Sequence, residues 1–398
     1  MKEDFKLASL SHNGPGCDLD FLSPERAHAI RNFHKSFPMY APTPLAALPE
    51  TAKALGLGSV YVKDESYRFG LNAFKVLGGS YAMGSYLADR LSMDISRLSF
   101  SELTSPETKK KLGELTFVTA TDGNHGRGVA WTANQFGQKS VVYMPKGSAP
   151  ERLENIRAEG SDASITQLNY DDAVRLASRH AEERDWILIQ DTAWEGYEDI
   201  PARIMQGYCT MGLEAYEQIP EKPTHIFLQA GVGSMAGAIA GLFSALYGEA
   251  RPIVTIVEPN KADCIFRTAQ ANDGKLHFVT GDMDTIMAGL ACGEPCSIGW
   301  NVLRDYADHF ISCPDYVAAK GMRILGNPAG RDDRVISGES GAACFGCVAE
   351  IMLNPKLTHI RTALGLDESS RVLFFSTEGD TDKENYRAIV WDGKYPGF

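Results

Sequence analysis

Five short stretches of this chain carry residue types that could do chemistry. The first is FGLNAFKVLGGS, Phe69 to Ser80, in which Lys75 stands between Ala73, Phe74, Val76 and Leu77. Apolar neighbours desolvate an ammonium and raise its neutral, nucleophilic fraction, which is what Schiff-base chemistry needs. The competing reading is a lysine with a buried stem and a wet head. Gly78 and Gly79 read as a turn that presents Lys75 at the start of a helix. The second stretch, QAGVGSMAG, sets Gly231, Val232, Gly233, Ser234, Met235, Ala236 and Gly237 where a strand gives way to a helix. Glycines there let backbone N–H groups approach one phosphate at the positive end of a helix. No Lys-Ser/Thr pair follows, as a P-loop would require, and no ribose-reading acid stands at the dinucleotide offset. The third, TDGNHGRG (121–128), offers Asn124 and exposed amides to a carboxylate or the edge of a planar ring. Asp122 or Asn124 could instead cap the next helix, and His125 reads as a packed, hydrogen-bonded histidine. The fourth, STEGDTD, presents the hydroxyls of Ser376 and Thr377, and the fifth, QDTAWEGY, contains Asp191, which could equally be a cap or a turn at a strand end.

Separately, each stretch has a bland account. Together, a desolvated lysine, an Asn-bearing glycine loop, a one-phosphate turn and a hydroxyl loop match one ligand. Pyridoxal 5'-phosphate (PLP) offers an aldehyde, a phenolic oxygen, a phosphate and a ring nitrogen.

The elements that must position these loops alternate along the chain. Strand-like SVYVKDE, LTFVTA, KSVVYMP, ASITQL and WILIQDT are interleaved with helix-like stretches such as APERLENIRAEG and YDDAVRLASRHAEERD. THIFLQA, PIVTIVEP and RVLFFST continue the pattern, which indicates an α/β architecture with parallel sheets. In such sheets ligands collect beyond the carboxyl ends of the strands, where TDGNHGRG, QDTAWEGY, QAGVGSMAG and STEGDTD fall. A unit over 85–195 is expected to form a small domain, leaving 1–84 and 196–398 as a large one. The 398 residues carry a net charge of -12, which argues against nucleic acid or an anionic membrane as the main partner. No stretch is apolar for long enough to span a bilayer, and the N-terminus lacks the apolar core of a signal peptide, so a cytoplasmic protein acting on a small molecule is expected. The eight cysteines lack zinc spacing; CFGC at Cys344 and Cys347 has no second pair, and no metal site is expected. Most read as core thiols, with a bridge between distant residues such as Cys264 and Cys292 left open.

The chain resembles the fold type II PLP enzymes, the tryptophan synthase β and threonine dehydratase group. Within it the pattern is similar to that of the diaminopropionate ammonia-lyases, carried by FGLNAFKVLGG, TDGNHGRGVAW, MPKGSA, QDTAWEGY, QAGVGSMAG, IMAGLACGEP, ISGESGA and STEGDTD. The resemblance implies two open, twisted, mostly parallel sheets flanked by helices, an active site in the cleft between a large and a small domain, and a homodimer. It implies that Lys75 holds PLP as an internal aldimine, that Asn124 meets the phenolic oxygen, and that Gly231 to Gly237 cradle the phosphate. Ser376 or Thr377 would face the pyridine nitrogen, and Glu339 in SGESGA would line the cofactor. The chain departs from the hydroxyamino-acid dehydratases at Ala73, in place of a serine, and at Asp122, in place of a small neutral residue, and the acid favours a substrate with a second ammonium. The implied reaction is α,β-elimination of 2,3-diaminopropionate, as the L and D isomers, to pyruvate and two ammonia. Lys75 would serve as base for the L isomer, Asp122 as base for the D isomer, and Asp191 would hold or protonate the β-amino group. A serine/threonine-type dehydratase or other β-eliminase, and a non-catalytic PLP-binding regulatory protein, are the alternatives.

Overall fold

Strands such as HIFLQ and IVTIVEP carry apolar residues on both sides of the pleat, and can be buried only if both faces of their sheet are covered. The computed structural model, which describes residues 5–12, 15–121 and 123–397, covers them in that way. Its strands are β1 (Lys6–Ser9), β2 (Leu45–Ala47), β3 (Ser59–Asp64), β4 (Thr116–Ala120), β5 (Lys139–Met144), β6 (Asp162–Ile165), β7 (Ile187–Leu188), β8 (His225–Gln229), β9 (Ile253–Pro259), β10 (His309–Cys313) and β11 (Arg371–Ser376). Seven of them form one sheet in the order β1-β10-β9-β8-β11-β3-β2, and four form another in the order β6-β5-β4-β7. Every pairing is parallel except at the two edges, where β1 and β2 run antiparallel to their neighbours.

The alternation along β8 shows how the large sheet is covered. Ile226 and Leu228 enter the core shared with helices Val76–Arg90, Asp199–Gln218 and Ser234–Tyr247, while Phe227 enters the one shared with Tyr316–Gly326 and Glu339–Leu353. β9 and β11 divide their side chains in the same way, with Ile256 and Leu373 on the first face and Val257 and Phe374 on the second. The carboxyl ends of β8 and β11 in one sheet, and of β4 and β7 in the other, lead into the loops singled out in the sequence.

Two close helix contacts fix the lysine. Gly128 lies so near helix Val76–Arg90 that an added Cβ would stand 2.8 Å from Val76 Cα, and one on Gly207 would stand 2.3 Å from the Leu77 carbonyl oxygen. The first turn after Lys75 is therefore gripped by helix Asn124–Gln135 on one side and Asp199–Gln218 on the other. Gly78 and Gly79 lie inside helix Val76–Arg90, not in the expected turn. Their small size serves packing: a Cβ on Gly78 would meet Ile204 at 2.6 Å and the Tyr208 ring at 2.7 Å.

The segment between β3 and Lys75 is held by buried charge. Arg68, fully buried, donates to Glu65 at 2.8 Å and to Glu214 at 2.7 Å, and Lys63 donates to Glu214 at 2.8 Å. Mutual hydrogen bonding of this kind is what makes buried charge tolerable.

Candidate active site

Lys75 has helical backbone angles (φ -62°, ψ -19°) and directly precedes helix Val76–Arg90, so its side chain leaves from a rigid terminus. Its Nζ donates to Asp191 Oδ2 at 2.9 Å. With 18% of the lysine side chain and 5% of the aspartate exposed, this is a pair at the floor of a cleft. Asp191 Oδ1 also accepts from Tyr170 Oη at 3.3 Å, and Tyr170 in turn accepts from Gln190 Nε2 at 3.0 Å. His125 Nε2 donates to the Ile189 carbonyl at 2.8 Å, leaving Nδ1 3.9 Å from Asp191 Oδ2, so the histidine is packed as expected and also faces the carboxylate. Burial alone would raise the Asp191 pKa, but the charges of Lys75 and His125 and the hydrogen bonds from Lys75 and Tyr170 hold it well below the usual carboxylate range.

The cleft has a volume of about 760 Å³, within the range of small-molecule sites. Gly231 to Ala236 line one wall. Gly233, at φ +95°, precedes helix Ser234–Tyr247, and no side chain caps that helix. The first N–H groups of a helix have no partner within it, so these amides offer a positive terminus to an anion in the cleft. Gly231 is tightly enclosed, since a Cβ would stand 3.2 Å from Cys292 Sγ and from the Gly289 carbonyl oxygen. Gly237 is one turn further in, donates to the Gly233 carbonyl at 2.8 Å and packs against Gly299; it is helix packing and does not line the cleft. Ser234 Oγ donates to the Asp191 backbone carbonyl at 2.6 Å, tying the anion turn to the lysine's partner.

Of the two hydroxyls offered as alternatives, Thr377 reaches the cleft. Ser376, the last residue of β11, is fully buried and donates to Ser337 Oγ at 2.8 Å on the other side of the strand. Gln229 Nε2 donates to Thr377 Oγ1 at 2.9 Å, so the threonine's own hydrogen is left to donate elsewhere.

Asn124 is the first residue of helix Asn124–Gln135 and does not cap it. Its Nδ2 instead donates to Glu378 Oε2 across the cleft. Glu378, 1% exposed, also accepts from the Ser340 N–H at 3.1 Å through Oε1. Glu339 lines the same wall and accepts from Asn385 Nδ2 at 2.5 Å. Burial, with the nearby Glu378 charge, pushes the Glu339 pKa up to about 7, against a smaller opposing effect of Arg152. Asp122 lies outside the described residues.

Glu378, Tyr170, Gln229 and Tyr208 are among the cleft residues that sequence reasoning did not single out. Glu378 and Gln229 stood inside two of the quoted stretches, and for Glu378 the acid directly after the Ser376–Thr377 hydroxyl pair was the available signal. Tyr170 and Tyr208 carried none, being reached through helices whose other residues are ordinary.

No group of three or more Cys, His, Asp or Glu side chains with metal-binding geometry occurs among the described residues. The eight cysteines are all free thiols, Cys264 and Cys292 included.

A lysine at a helix terminus, an amide cradle tightly enclosed at Gly231, an Asn facing the cleft and a threonine with a hydrogen to donate fit PLP. The chain belongs to the pyridoxal-phosphate dependent enzymes, whose family profile matches residues 37–358. Within that class it is 55% identical over 386 residues to the diaminopropionate ammonia-lyase of Salmonella typhimurium, with 96% of each chain covered. Identity to the diaminopropionate ammonia-lyase of Escherichia coli K12 is 52% over 378 residues, covering 94% of this chain and 93% of that one. The crystal structure of the holo Escherichia coli diaminopropionate ammonia-lyase superposes with a TM-score of 0.93 at 48% identity, covering 99% of this chain and 98% of that one. The same Escherichia coli enzyme in complex with an aminoacrylate-PLP azomethine reaction intermediate gives 0.90 at 47% identity, with the same coverage.

Proposed function

We propose that the protein cleaves 2,3-diaminopropionate by α,β-elimination to pyruvate and two ammonia. The observation that carries this reading is the 2.9 Å contact of Lys75 Nζ with Asp191 Oδ2, which sets a buried carboxylate beside the reacting lysine, where a substrate's second ammonium needs an anion. The names of the relatives above support the same substrate. PLP, when bound, supplies the electron sink that acidifies the Cα hydrogen.

Each protein group then has a task suited to its environment. Gly231 to Ala236 hold the phosphate with backbone amides, and Asn124 donates to the phenolic oxygen. Thr377, already accepting from Gln229, donates its hydroxyl hydrogen to the ring nitrogen, which suits an unprotonated pyridine. Lys75 holds the cofactor, and once displaced by the substrate's α-amine takes the Cα proton of the L isomer. Asp191, kept anionic by Lys75 and His125, is a poor proton donor, so between the two roles foreseen for it we assign it the holding of the β-ammonium. Asp122 is assigned from its place in the sequence alone, as the base that takes the Cα proton of the D isomer from the opposite face. Glu339 closes the wall beside Asn124. Released aminoacrylate hydrolyses in water to pyruvate and the second ammonia.

We read the protein as a cytoplasmic homodimer with a large unit of 1–84 and 196–398 and a small unit of 85–195. The four strands of the smaller sheet, all within 116–188, support that division, although residue 84 falls inside helix Val76–Arg90.

A coupled pyruvate and ammonia assay on both diaminopropionate isomers tests the reaction. Two ammonia per pyruvate are expected. Faster pyruvate release from serine than from either isomer would make the protein a hydroxyamino-acid dehydratase, and a coloured protein that releases no ammonia from any of these amino acids would make it a binding protein.

A further inference from the structure

We infer that Glu378 is a positioning residue that fixes the carboxamide of Asn124 toward the cofactor. This deepens the reading of Asn124 as a contact of the phenolic oxygen, and rests on it. An Asn side chain has one N–H₂ and one carbonyl of nearly the same shape, and a site that needs its donor must settle which end points inward. Glu378 settles it by accepting one Asn124 N–H at Oε2, which leaves the second N–H for the cofactor.

The glutamate is itself held from three directions. Its other oxygen accepts the Ser340 N–H at 3.1 Å, and its backbone carbonyl accepts the Gly338 N–H at 2.9 Å. Its backbone also bridges Ala73, and its neighbours pair with the segment leading to the lysine, Phe74 N–H donating to Thr377 O and Gly379 N–H to Asn72 O, each at 3.0 Å. Gly338 permits the approach, because a Cβ there would stand 3.0 Å from Glu378 Cγ. One side chain therefore joins the loop after β11, the start of helix Glu339–Leu353 and the first residue of helix Asn124–Gln135. Asn124 is thereby referenced to the same backbone that places Lys75.

Both carboxylate oxygens are used as acceptors, so an isosteric amide cannot replace it. Glu378→Gln offers one oxygen where two donors converge. Its new N–H₂ faces either Ser340 N–H or Asn124, and in the second case turns the Asn124 carbonyl toward it.

The test uses the PLP-loaded protein and four forms: wild type, Glu378→Gln, Asn124→Ala and the double variant. The measurements are cofactor retained in equilibrium dialysis against free PLP, and the visible absorbance of the bound cofactor. In the wild-type background Glu378→Gln is expected to weaken retention about tenfold or more, the scale of one lost hydrogen bond to a charged group, and to shift the absorbance band. In the Asn124→Ala background the same substitution is expected to have a much smaller effect on both. The Ser340 contact is common to both backgrounds and cancels, as does any general loss of stability, which a thermal melt of each form monitors. An undiminished effect of Glu378→Gln without Asn124, or no effect in its presence, overturns the inference. A protein that shows the coupling but releases no ammonia from diaminopropionate refutes the proposed reaction and leaves the positioning role supported.

Discussion

Glu339 gives the cleft a measurable dependence on pH. Its carboxyl is 3% exposed, faces Glu378 and Arg152, and titrates at about 7 instead of the ordinary 4.5 because burial and the neighbouring carboxylate disfavour its charge. Between those two values the folded protein keeps a proton that the unfolded chain has already lost. The native state therefore binds more protons in that window, and stability falls as pH rises from about 4.5 to about 7. At 1.36 kcal/mol per pH unit, the gap corresponds to on the order of 3 kcal/mol of destabilisation, fully present above pH 7 and absent below pH 4.5. Glu339→Gln keeps an oxygen for Asn385 Nδ2 and removes the ionisation. Denaturant or thermal midpoints of cofactor-free protein, compared between pH 5 and pH 8, should show the variant close to wild type at the lower pH and clearly more stable at the higher. A gain that is the same at both values, or a variant that loses stability as pH rises just as the wild type does, would refute the argument that the Glu339 charge is resisted by its surroundings.

Other outcomes follow from single contacts. The Tyr208 phenol is buried and lacks a hydrogen-bond partner among the described residues, so Tyr208→Phe should stabilise cofactor-free protein by about 1 kcal/mol, read from the denaturant midpoint; a clear loss of stability would mean the hydroxyl has a partner. Gly207→Ala puts a Cβ against the Leu77 carbonyl and should cost about 1–3 kcal/mol while also loosening the turn that carries Lys75. A variant of normal stability with unchanged cofactor retention would show that the two helices can part without disturbing the lysine.

The parts of the site that lie in one loop were legible, because a strand-to-helix turn rich in glycine, or an apolar-flanked lysine, announces itself within a few residues. Parts decided by a one-residue alternation were not. Ser376 and Thr377 are adjacent hydroxyls at a strand end, and only the side of the pleat separates a structural contact with Ser337 from a place in the cleft. The glycines after Lys75 read as a turn because glycine weakens isolated helices; what retains them in one is the close approach of helix Asp199–Gln218, which no local pattern shows. That 20-residue helix was itself obscured by Pro201 in its first turn and two internal glycines. Glu378 meets a partner 254 residues away, a distance at which a single sequence carries no trace of contact. β1 and β2 are edge strands of four and three residues, too short to show a period of two.

The strand that precedes Lys75, β3, is paired in parallel with β11, Ser59 opposite Arg371 and Asp64 opposite Ser376. The lysine and the loop that carries Thr377 and Glu378 therefore hang from neighbouring strands whose synthesis is separated by most of the chain. A nascent polypeptide stopped anywhere before β11 has the lysine, the Asn loop and the anion turn, yet β3 has no partner on that flank and the wall opposite Asp191 is missing. The geometry of the site is therefore set by a pairing between distant parts of the chain, and a cleft with both flanks in place exists only once β11 has docked beside β3.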